Sequence, residues 1–494
     1  MNYLDSTILN VALPALQHAF NADEAALQWI VDSFLLVLTC LLILAGSLAD
    51  RFGRRRVLVA GLVIFIIGSS GCSISGNVVE LVVARMVTGV GGAMLVPTTL
   101  SIVRNTFTSR KDLARAIGIW SGVYGIACAC GPLIGGILID TTSWRSIFLV
   151  NIPVGLIGIA FALVFIPESV AERPRSIDFK GQVLIIAFLG LLILTIIEAT
   201  GHGWASPLIV FGFAVSVALF LLFLWVEARQ EEPLFEIRFF SNDAFAGANM
   251  LAVITFILMA GFLFLNTIYL QQVRGLSALG AGLFTLPLMI SIAICAPISG
   301  RYLSTHGPRF AMIFSAPLAM SAFIMLLFTS PSTPEGFLFV AYTLLGISLG
   351  TVNPSITHTA VASIPTKQAG VASAVTSTSR QIGSALGVAV LGSIAVTSLR
   401  REVSSNLVSL HLSPILQTRV EQSGIGALSQ DFGGASLQVH HVAGIAYSDA
   451  LHVAWWICIA LCGLWLIAAK RTTSVDALEA SILAGADQFK DEYR

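Results

Sequence analysis

Apolar stretches of about 20 residues recur from one end of this chain to the other, and each is long enough to cross a hydrocarbon core about 30 Å thick. Only 11% of the 494 residues are charged, whereas a soluble surface usually requires about 25%. A helix satisfies its own backbone hydrogen bonds in lipid, and the alternation typical of a barrel strand is absent. We therefore expect an all-α polytopic membrane protein.

Charged residues and Pro/Gly clusters divide the chain into fourteen predicted spans. They run over 4–20, 26–48, 57–76, 79–101, 114–139, 145–167, 180–199, 206–226, 244–270, 281–300, 311–328, 336–357, 368–399 and 448–469. The only long loop that this division leaves is 400–447, which we interpret as a partly structured lid, an amphipathic hairpin or a plain flexible loop.

A faint internal repeat indicates how the spans are grouped. Residues 46–56, which follow the second span, have a weaker echo at 300–309 after the tenth span. If the echo is real, two six-helix units flank an inserted pair of helices. The predicted units are an N-terminal six-helix bundle over 1–167, two inserted helices over 180–226, a C-terminal six-helix bundle over 244–469 with the outward loop 400–447, and a tail over 470–494.

The distribution of positive charge predicts the orientation. Loops that would lie on the same side as the N-terminus carry most of the 27 Lys and Arg residues. Cytoplasmic loops are enriched in these residues, so we expect both termini and the tail to be cytoplasmic. The first apolar run has no basic leader and no small-residue cleavage site, so we expect a membrane span there and not a signal peptide.

Charge, cysteines and motifs exclude several classes of protein. The net charge is zero, so we expect no nucleic-acid partner. The seven cysteines lie within apolar runs and are interpreted as packing residues, not as disulfides or metal ligands. No phosphate-binding loop, GxSxG, HExxH or CxxC pair occurs. We therefore expect no enzyme, no cofactor and no metal, and any uphill transport would have to use an ion gradient.

Two carboxylates fall inside predicted spans, Asp5 in the first and Asp32 in the second. A charge in lipid is costly, so an ionisable residue there is a functional hypothesis by default. Loss of water favours the protonated carboxyl, so either residue could exchange a proton, and either could pair with a cationic substrate when ionised. The alternatives are a polar contact with a neighbouring helix for Asp32 and a wet interfacial position for Asp5.

Two arginines also fall inside spans. Arg85 heads a face of the fourth span that continues with Gly89 and Gly92, where another helix could approach closely. A buried guanidinium requires a partner, and either intramembrane acid is a candidate; a purely structural ion pair is the alternative. Arg380 occupies a comparable place in the thirteenth span.

The turn between the second and third spans combines glycines with charges. Its members, which we call the charge latch, are Gly46, Asp50, Arg51, Gly53, Arg54 and Arg55. Glycine lets the chain reverse where two helices nearly touch, and Asp50 could pair with an arginine or cap the next helix. We interpret the cluster as a latch at a moving interface, with a plain positive-inside loop as the alternative.

The fifth span is rich in small residues at helical spacing. The residues that carry the pattern are Gly118, Gly122, Gly125, Gly131, Pro132, Gly135 and Gly136. Small residues four apart allow close helix contact, and Pro132 removes a backbone donor and bends the helix. Such a helix is suited to flexing or rotating against a partner, although static tight packing would use the same residues.

Together these segments resemble the Major Facilitator Superfamily, in its fourteen-span drug/proton antiporter branch. Residues 4–14 resemble the branch's first-helix signature, and 46–56 resembles the superfamily's motif between the second and third helices. Residues 85–93 are similar to the fourth-helix motif assigned to proton transfer, and 122–136 is similar to the antiporter motif of the fifth helix. The resemblance implies the superfamily's two six-helix bundles, here with two inserted helices.

The resemblance implies a proton-coupled antiporter that exports hydrophobic, cationic drugs or toxic compounds across the cytoplasmic membrane by alternating access. In that family the acid and arginine corresponding to Asp5 and Arg85 serve proton coupling, and an acid at the place of Asp32 is typical of exporters of lipophilic cations. We expect Arg380 to be a second substrate-binding residue.

The expected partners are a small hydrophobic substrate, protons and the lipid bilayer. Most members of the superfamily work as monomers, and the same is expected here. Two alternatives remain: an exporter of a specific metabolite, lipid or siderophore, and a non-transporting membrane sensor built on the same fold.

Overall fold

The computed structural model describes residues 1–20, 22, 24–107, 109–170, 179–230, 237–364, 369–407 and 436–471. These residues form long helices joined by short turns. The helices are α1 (Asn2–Phe20), α2 (Glu24–Phe52), α3 (Arg54–Ile74), α4 (Val78–Thr106), α5 (Arg110–Thr141), α6 (Ser146–Leu149), α7 (Asn151–Phe165), α8 (Phe179–His202), α9 (Pro207–Glu227), α10 (Asp243–Ile268), α11 (Ala278–Phe284), α12 (Leu286–His306), α13 (Pro308–Leu326), α14 (Glu335–Ala362), α15 (Ala369–Leu386), α16 (Gly392–Leu407) and α17 (Ser436–Arg471). Single π-helical stretches, Tyr269–Val273 and Gly387–Leu391, extend α10 and join α15 to α16.

The helices confirm the expected fold class of an all-α polytopic membrane protein. Twelve helical segments of the described chain are long and apolar enough to cross a membrane. Two further helices, α1 and α5, contain 19 and 32 residues and are also of membrane-spanning length. Each of the fourteen predicted spans overlaps one of these segments.

Helices from the second part of the chain share one large core. It is built from buried side chains of α10 to α17, among them Phe262, Phe323, Tyr342 and Trp455. Phe262 meets the rings of Tyr342 and Trp455 at centroid distances of 5.3 and 5.9 Å. The first seven helices, α1 through α7, contribute to separate, smaller cores. The division into 1–167 and 244–469 stays a prediction, but the apolar packing on each side of the α8–α9 pair fits it.

Glycines let α5 approach α12 at backbone contact. A Cβ on Gly118 would lie 2.8 Å from the Cα of Gly300, and a Cβ on Gly122 would lie 2.9 Å from Cγ of Pro297. A Cβ on Gly125 would lie 2.9 Å from the backbone nitrogen of Ala293. The fifth-span glycines therefore form one seam between the first and second parts of the chain.

A second seam joins α2 to α15, and the α8–α9 hairpin covers it. Cys40 and Ile43 of α2 share a buried cluster with Ala374 of α15 and with Ile185 and Leu189 of α8. At the other end of the hairpin, Nε1 of Trp204 donates a 2.9 Å hydrogen bond to Oγ of Ser393 on α16. The inserted pair is thus attached to both parts of the chain.

The loop expected over 400–447 is shorter than predicted. Helix α16 continues to Leu407 and α17 begins at Ser436, so the segment is helical at both described ends. The reason is an apolar stripe at helical spacing, since Val439, Ala443, Ala446 and Tyr447 are all buried. Residues 408–435 and the tail 472–494 lie outside the described residues.

The faint echo between 46–56 and 300–309 has a counterpart in backbone geometry. Gly53, between α2 and α3, has φ 106°, and Gly307, between α12 and α13, has φ 76°. Both values lie in the left-handed region, where glycine avoids the steric cost that a side chain would meet. Both turns therefore place a glycine with positive φ directly before the next helix.

We expect Gly118→Val to destabilise the protein. The added side chain would meet the backbone of Gly300, and overpacking of this kind typically costs about 1–3 kcal/mol. The check is the midpoint of thermal unfolding in detergent. Gly463→Val is the matched control, because no heavy atom lies within 4 Å of the position its Cβ would take. Equal midpoints for the two variants would contradict the close seam.

Candidate functional site

A buried ion pair joins α1 to α4. Nη1 of Arg85 donates to Oδ2 of Asp5, and the two residues are 1% and 3% exposed. A buried guanidinium and carboxylate each require a partner, because the desolvation of an isolated charge is costly. The structure therefore brings together the two residues for which the family resemblance implies a role in proton coupling.

Two further groups surround the pair on the side of Arg85. Its Nε donates a 3.2 Å hydrogen bond to the carbonyl oxygen of Ile30, and its Cζ lies 4.5 Å from the ring centroid of Phe34. Both contacts come from α2, which approaches α4 closely because position 89 is glycine. A Cβ on Gly89 would lie 2.8 Å from the carbonyl oxygen of Phe34.

Asn151 completes the site on the side of Asp5, and sequence reasoning missed it. Its Nδ2 donates to Oδ1 of Asp5 at 2.8 Å and to Oγ of Ser69 at 3.2 Å. Asn151 begins α7 and is fully buried. The available signal was an amide side chain in an otherwise apolar sixth span.

A proton on Asp5 would remove the negative charge that faces Arg85. The guanidinium would then have only neutral partners, namely the protonated carboxyl, the carbonyl oxygen of Ile30 and the ring of Phe34. Removing one member of a buried pair typically costs about 3–5 kcal/mol. A proton on this carboxyl therefore favours any rearrangement that gives Arg85 water or another acceptor.

The charge latch forms a network at the end of α2. Asp50 pairs with Arg54 at 3.0 Å, and Oγ of Ser101 on α4 donates to Oδ1 of Asp50 at 3.4 Å. Gly46 is buried on α2, whereas Arg51 is exposed, with its Cζ 5.7 Å from the ring of Phe52. Of the two roles expected for Asp50, the structure shows the pairing with an arginine.

Glu168 provides the cap of α3 that Asp50 does not, and sequence reasoning missed it. Its Oε1 accepts a 3.1 Å hydrogen bond from the backbone nitrogen of Arg55, and its Oε2 lies 3.8 Å from Nε of that arginine. A Cβ on Gly53 would lie 2.5 Å from Oε1 of Glu168, so Gly53 also supplies the space for the cap. The available signal was an acid directly after the sixth span, on the side where the arginines cluster.

The glycines of α5 serve two partners. Gly122 faces α12, as described above, whereas Gly131 and Gly135 face α1. A Cβ on Gly131 would lie 3.1 Å from the backbone nitrogen of Ile8, and a Cβ on Gly135 would lie 3.4 Å from its carbonyl oxygen. Pro132 lies in the same helix, and its side chain is outside the described residues. Helix α5 therefore connects the helix that carries Asp5 to the seam with α12.

Arg380 lies in a central cleft between the two parts of the chain. The cleft is narrow, with a cavity volume of about 10 Å³, and is lined by Tyr3, Trp120, Ser121, Phe256, Asn353 and Arg380. These residues come from α1, α5, α10, α14 and α15. Asp32 is half-buried on α2 and is not one of these six lining residues, and its role in substrate binding stays a prediction.

Within the part of the chain that the structure describes, no group of three or more His, Cys, Asp or Glu side chains could hold a metal ion. The site is therefore built from ion pairs, aromatic rings and hydroxyl or amide groups.

We expect Glu168→Ala to lower the free energy of unfolding by about 1–2 kcal/mol, the upper range for the loss of a helix N-cap. Thermal unfolding in detergent measures the change. Asp112→Ala is the matched control, since Asp112 is exposed and lies 3.9 Å from Arg115, and such a surface pair contributes about 0.5 kcal/mol or less. A Glu168 variant as stable as the control would show that the cap contributes nothing.

Comparison with known proteins places these features in one family. Residues 1–388 match the family model described as Major Facilitator Superfamily. The multidrug resistance protein Stp of Mycobacterium tuberculosis (strain CDC 1551 / Oshkosh) is 35% identical over 407 residues, which cover 82% of this chain and 76% of that protein. The tetracenomycin C resistance and export protein of Streptomyces glaucescens is 37% identical over 390 residues, covering 79% and 72%.

The fold also matches solved structures. The crystal structure of the human organic anion transporter MFSD10 (TETRAN) has a TM-score of 0.62 with this chain at 15% sequence identity, covering 93% of this chain and 96% of that one. At this identity the likeness shows the shared fold alone.

Proposed function

The chain belongs to the Major Facilitator Superfamily, and we propose that it exports hydrophobic small molecules, including drugs, in exchange for protons. It is a multi-pass membrane protein of a transporter family. The names of its relatives, a multidrug resistance protein and an antibiotic resistance and export protein, support export of this class of compound.

One observation carries the proposal of proton coupling. Asp5 is a buried carboxyl whose ionic partner, Arg85, lies on another helix, and both are shielded from water. Protonation and the conformation of α1 against α4 are therefore linked. A group of this kind can convert a proton gradient into a change of shape, because a proton crossing 100 mV supplies about 2.3 kcal/mol.

The two seams provide the moving parts of the proposed cycle. Bare backbone contact along α5 and α12 allows the two parts of the chain to slide or rock without repacking large side chains. The charge latch and Glu168 tie the end of α2 to α3, α4 and the segment after α7. Loss and recovery of the Asp5–Arg85 pair would then alternate with opening of the central cleft to either side.

The proposed location is the cytoplasmic membrane, with both termini in the cytoplasm. The arginine-rich turn at 51–56 supports this orientation, since positive loops face the cytoplasm. The protein is proposed to work as a monomer.

We expect Asp5→Asn to abolish proton-driven transport, with a loss of at least about a hundredfold in initial rate. The amide keeps the shape of the carboxyl but neither binds nor releases a proton near neutral pH. The measurement uses inside-out vesicles acidified by respiration and follows uptake of three dyes: cationic ethidium, neutral N-phenyl-1-naphthylamine and anionic 8-anilino-1-naphthalenesulfonate. Uptake that disappears with an uncoupler reports exchange for protons.

Two variants control this experiment. Asp112→Asn makes the same change on the surface and should transport like the unaltered protein, while Asp5→Glu keeps the titrating group and should retain part of the rate. If no dye moves in vesicles that contain folded protein, the exporter proposal fails for these compounds. If vesicles with Asp5→Asn still show dye uptake that is driven by the proton gradient, Asp5 is not the coupling group.

A further inference from the structure

The central cleft carries a positive charge. Of its six lining residues, Arg380 alone bears a formal charge at neutral pH, and it is 3% exposed. A cationic cargo at this place would bring like charges together in a medium of low dielectric, which disfavours its binding. An anionic cargo would instead meet a group of opposite charge.

The guanidinium of Arg380 is held in a fixed direction. Its Nη2 donates to Oγ1 of Thr357, whose own hydroxyl proton is directed to the carbonyl oxygen of Asn353 at 2.9 Å. The threonine therefore accepts from Arg380 and donates to the backbone of α14. A planar guanidinium positioned in this way can present a fork of N–H donors to an oxyanion.

Aromatic rings from both parts of the chain flank the guanidinium. Cζ of Arg380 lies 5.5 Å from the ring centroid of Phe256 on α10 and 6.0 Å from that of Trp120 on α5. The rings and the guanidinium together offer flat surfaces on which a conjugated molecule could stack.

The cleft also contains an available hydrogen-bond donor. Ser121 follows Trp120 on α5, is 3% exposed, and its hydroxyl has no hydrogen-bond partner among the described residues. Buried hydroxyls are normally satisfied, so a buried hydroxyl that lines a cavity without a partner points to a ligand atom or a water at this place. Together with the amide of Asn353, it adds neutral donors beside the charged one.

From this lining we propose that the central cleft binds planar aromatic anions, such as conjugated carboxylates, sulfonates or ionised phenols, and that Arg380 selects the sign of their charge. The inference rests on the proposed export function and names its substrate class. It differs from the expectation of a cationic cargo held by Asp32, a residue that is not part of the cleft lining.

The cleft is nearly closed in this conformation. Its cavity volume of about 10 Å³ is room for about one water molecule, whereas most ligand pockets measure roughly 300–1,000 Å³. Binding of an aromatic anion therefore requires the two parts of the chain to move apart, so that the cargo can reach the guanidinium and the two rings.

The test compares the three dyes in the same vesicles. The anionic and neutral naphthyl dyes share an anilinonaphthalene core, so the sulfonate is the main difference between them. We expect proton-driven uptake of the anionic dye by the unaltered protein. Arg380→Gln should reduce the rate for this dye at least tenfold while changing the rate for the neutral dye less than threefold. Arg401→Gln, at an exposed arginine on α16, is the matched control and should change neither.

A second variant tests the charge of the cleft without altering Arg380. Asn353→Asp places a carboxylate in the lining, so the rate for the anionic dye should fall at least tenfold and the rate for ethidium should rise. This outcome does not depend on whether Arg380→Gln folds. A purely structural role for Arg380 would lower all rates together and would not exchange one charge preference for another.

The remaining outcomes overturn the inference and separate it from the exporter proposal. Proton-driven movement of ethidium that is lost in Asp32→Asn, with no movement of the anionic dye, would refute the anion site and leave the export function in place. Equal loss of all dyes in both cleft variants would also refute charge selection by Arg380. If none of the dyes moves, the exporter proposal and this inference fail together.

Discussion

A guanidinium cannot stay in a dry helix bundle without partners, and much of the first part of the chain is arranged around this requirement at Arg85. The carboxylate comes from α1, the amide that orients the carboxylate comes from α7, and a carbonyl and an aromatic ring come from α2. Arg85 of α4 thereby contacts α1 and α2 directly, and α7 is joined to the same cluster through Asp5. The glycines that face these helices follow from the same requirement, because short polar contacts of this kind need backbones that approach closely.

The sequence was informative wherever a pattern is local. Span number and order follow from apolar run length, and the intramembrane charges Asp5, Arg85 and Arg380 stand out because lipid makes each of them costly. The glycines of α5 also reveal a close helix contact through their spacing. Their partners could not be deduced, since the same spacing serves α12 at Gly118 and α1 at Gly131.

The sequence was less informative wherever a function depends on two distant segments. Glu168 caps a helix that begins more than a hundred residues earlier, and no local pattern links it to Arg55. Trp120 and Phe256 look like ordinary core residues until the fold places both beside Arg380. The start of α17 was missed for a different reason, because the polar residues Gln438, His440 and His441 interrupt the apolar run before residue 448.

The α8–α9 hairpin makes the two seams mechanically unequal. The α5–α12 seam consists of two helices in direct backbone contact. The α2–α15 seam also packs against the α8–α9 hairpin, through the buried cluster that contains Cys40 and Leu189. The hydrogen bond from Trp204 to Ser393 attaches the same hairpin to α16. Movement of α2 against α15 would therefore break contacts with the α8–α9 hairpin. Movement of α5 against α12 would not disturb those contacts. The two seams therefore differ in stiffness, and in the proposed transport cycle the α5–α12 seam would open more easily than the α2–α15 seam.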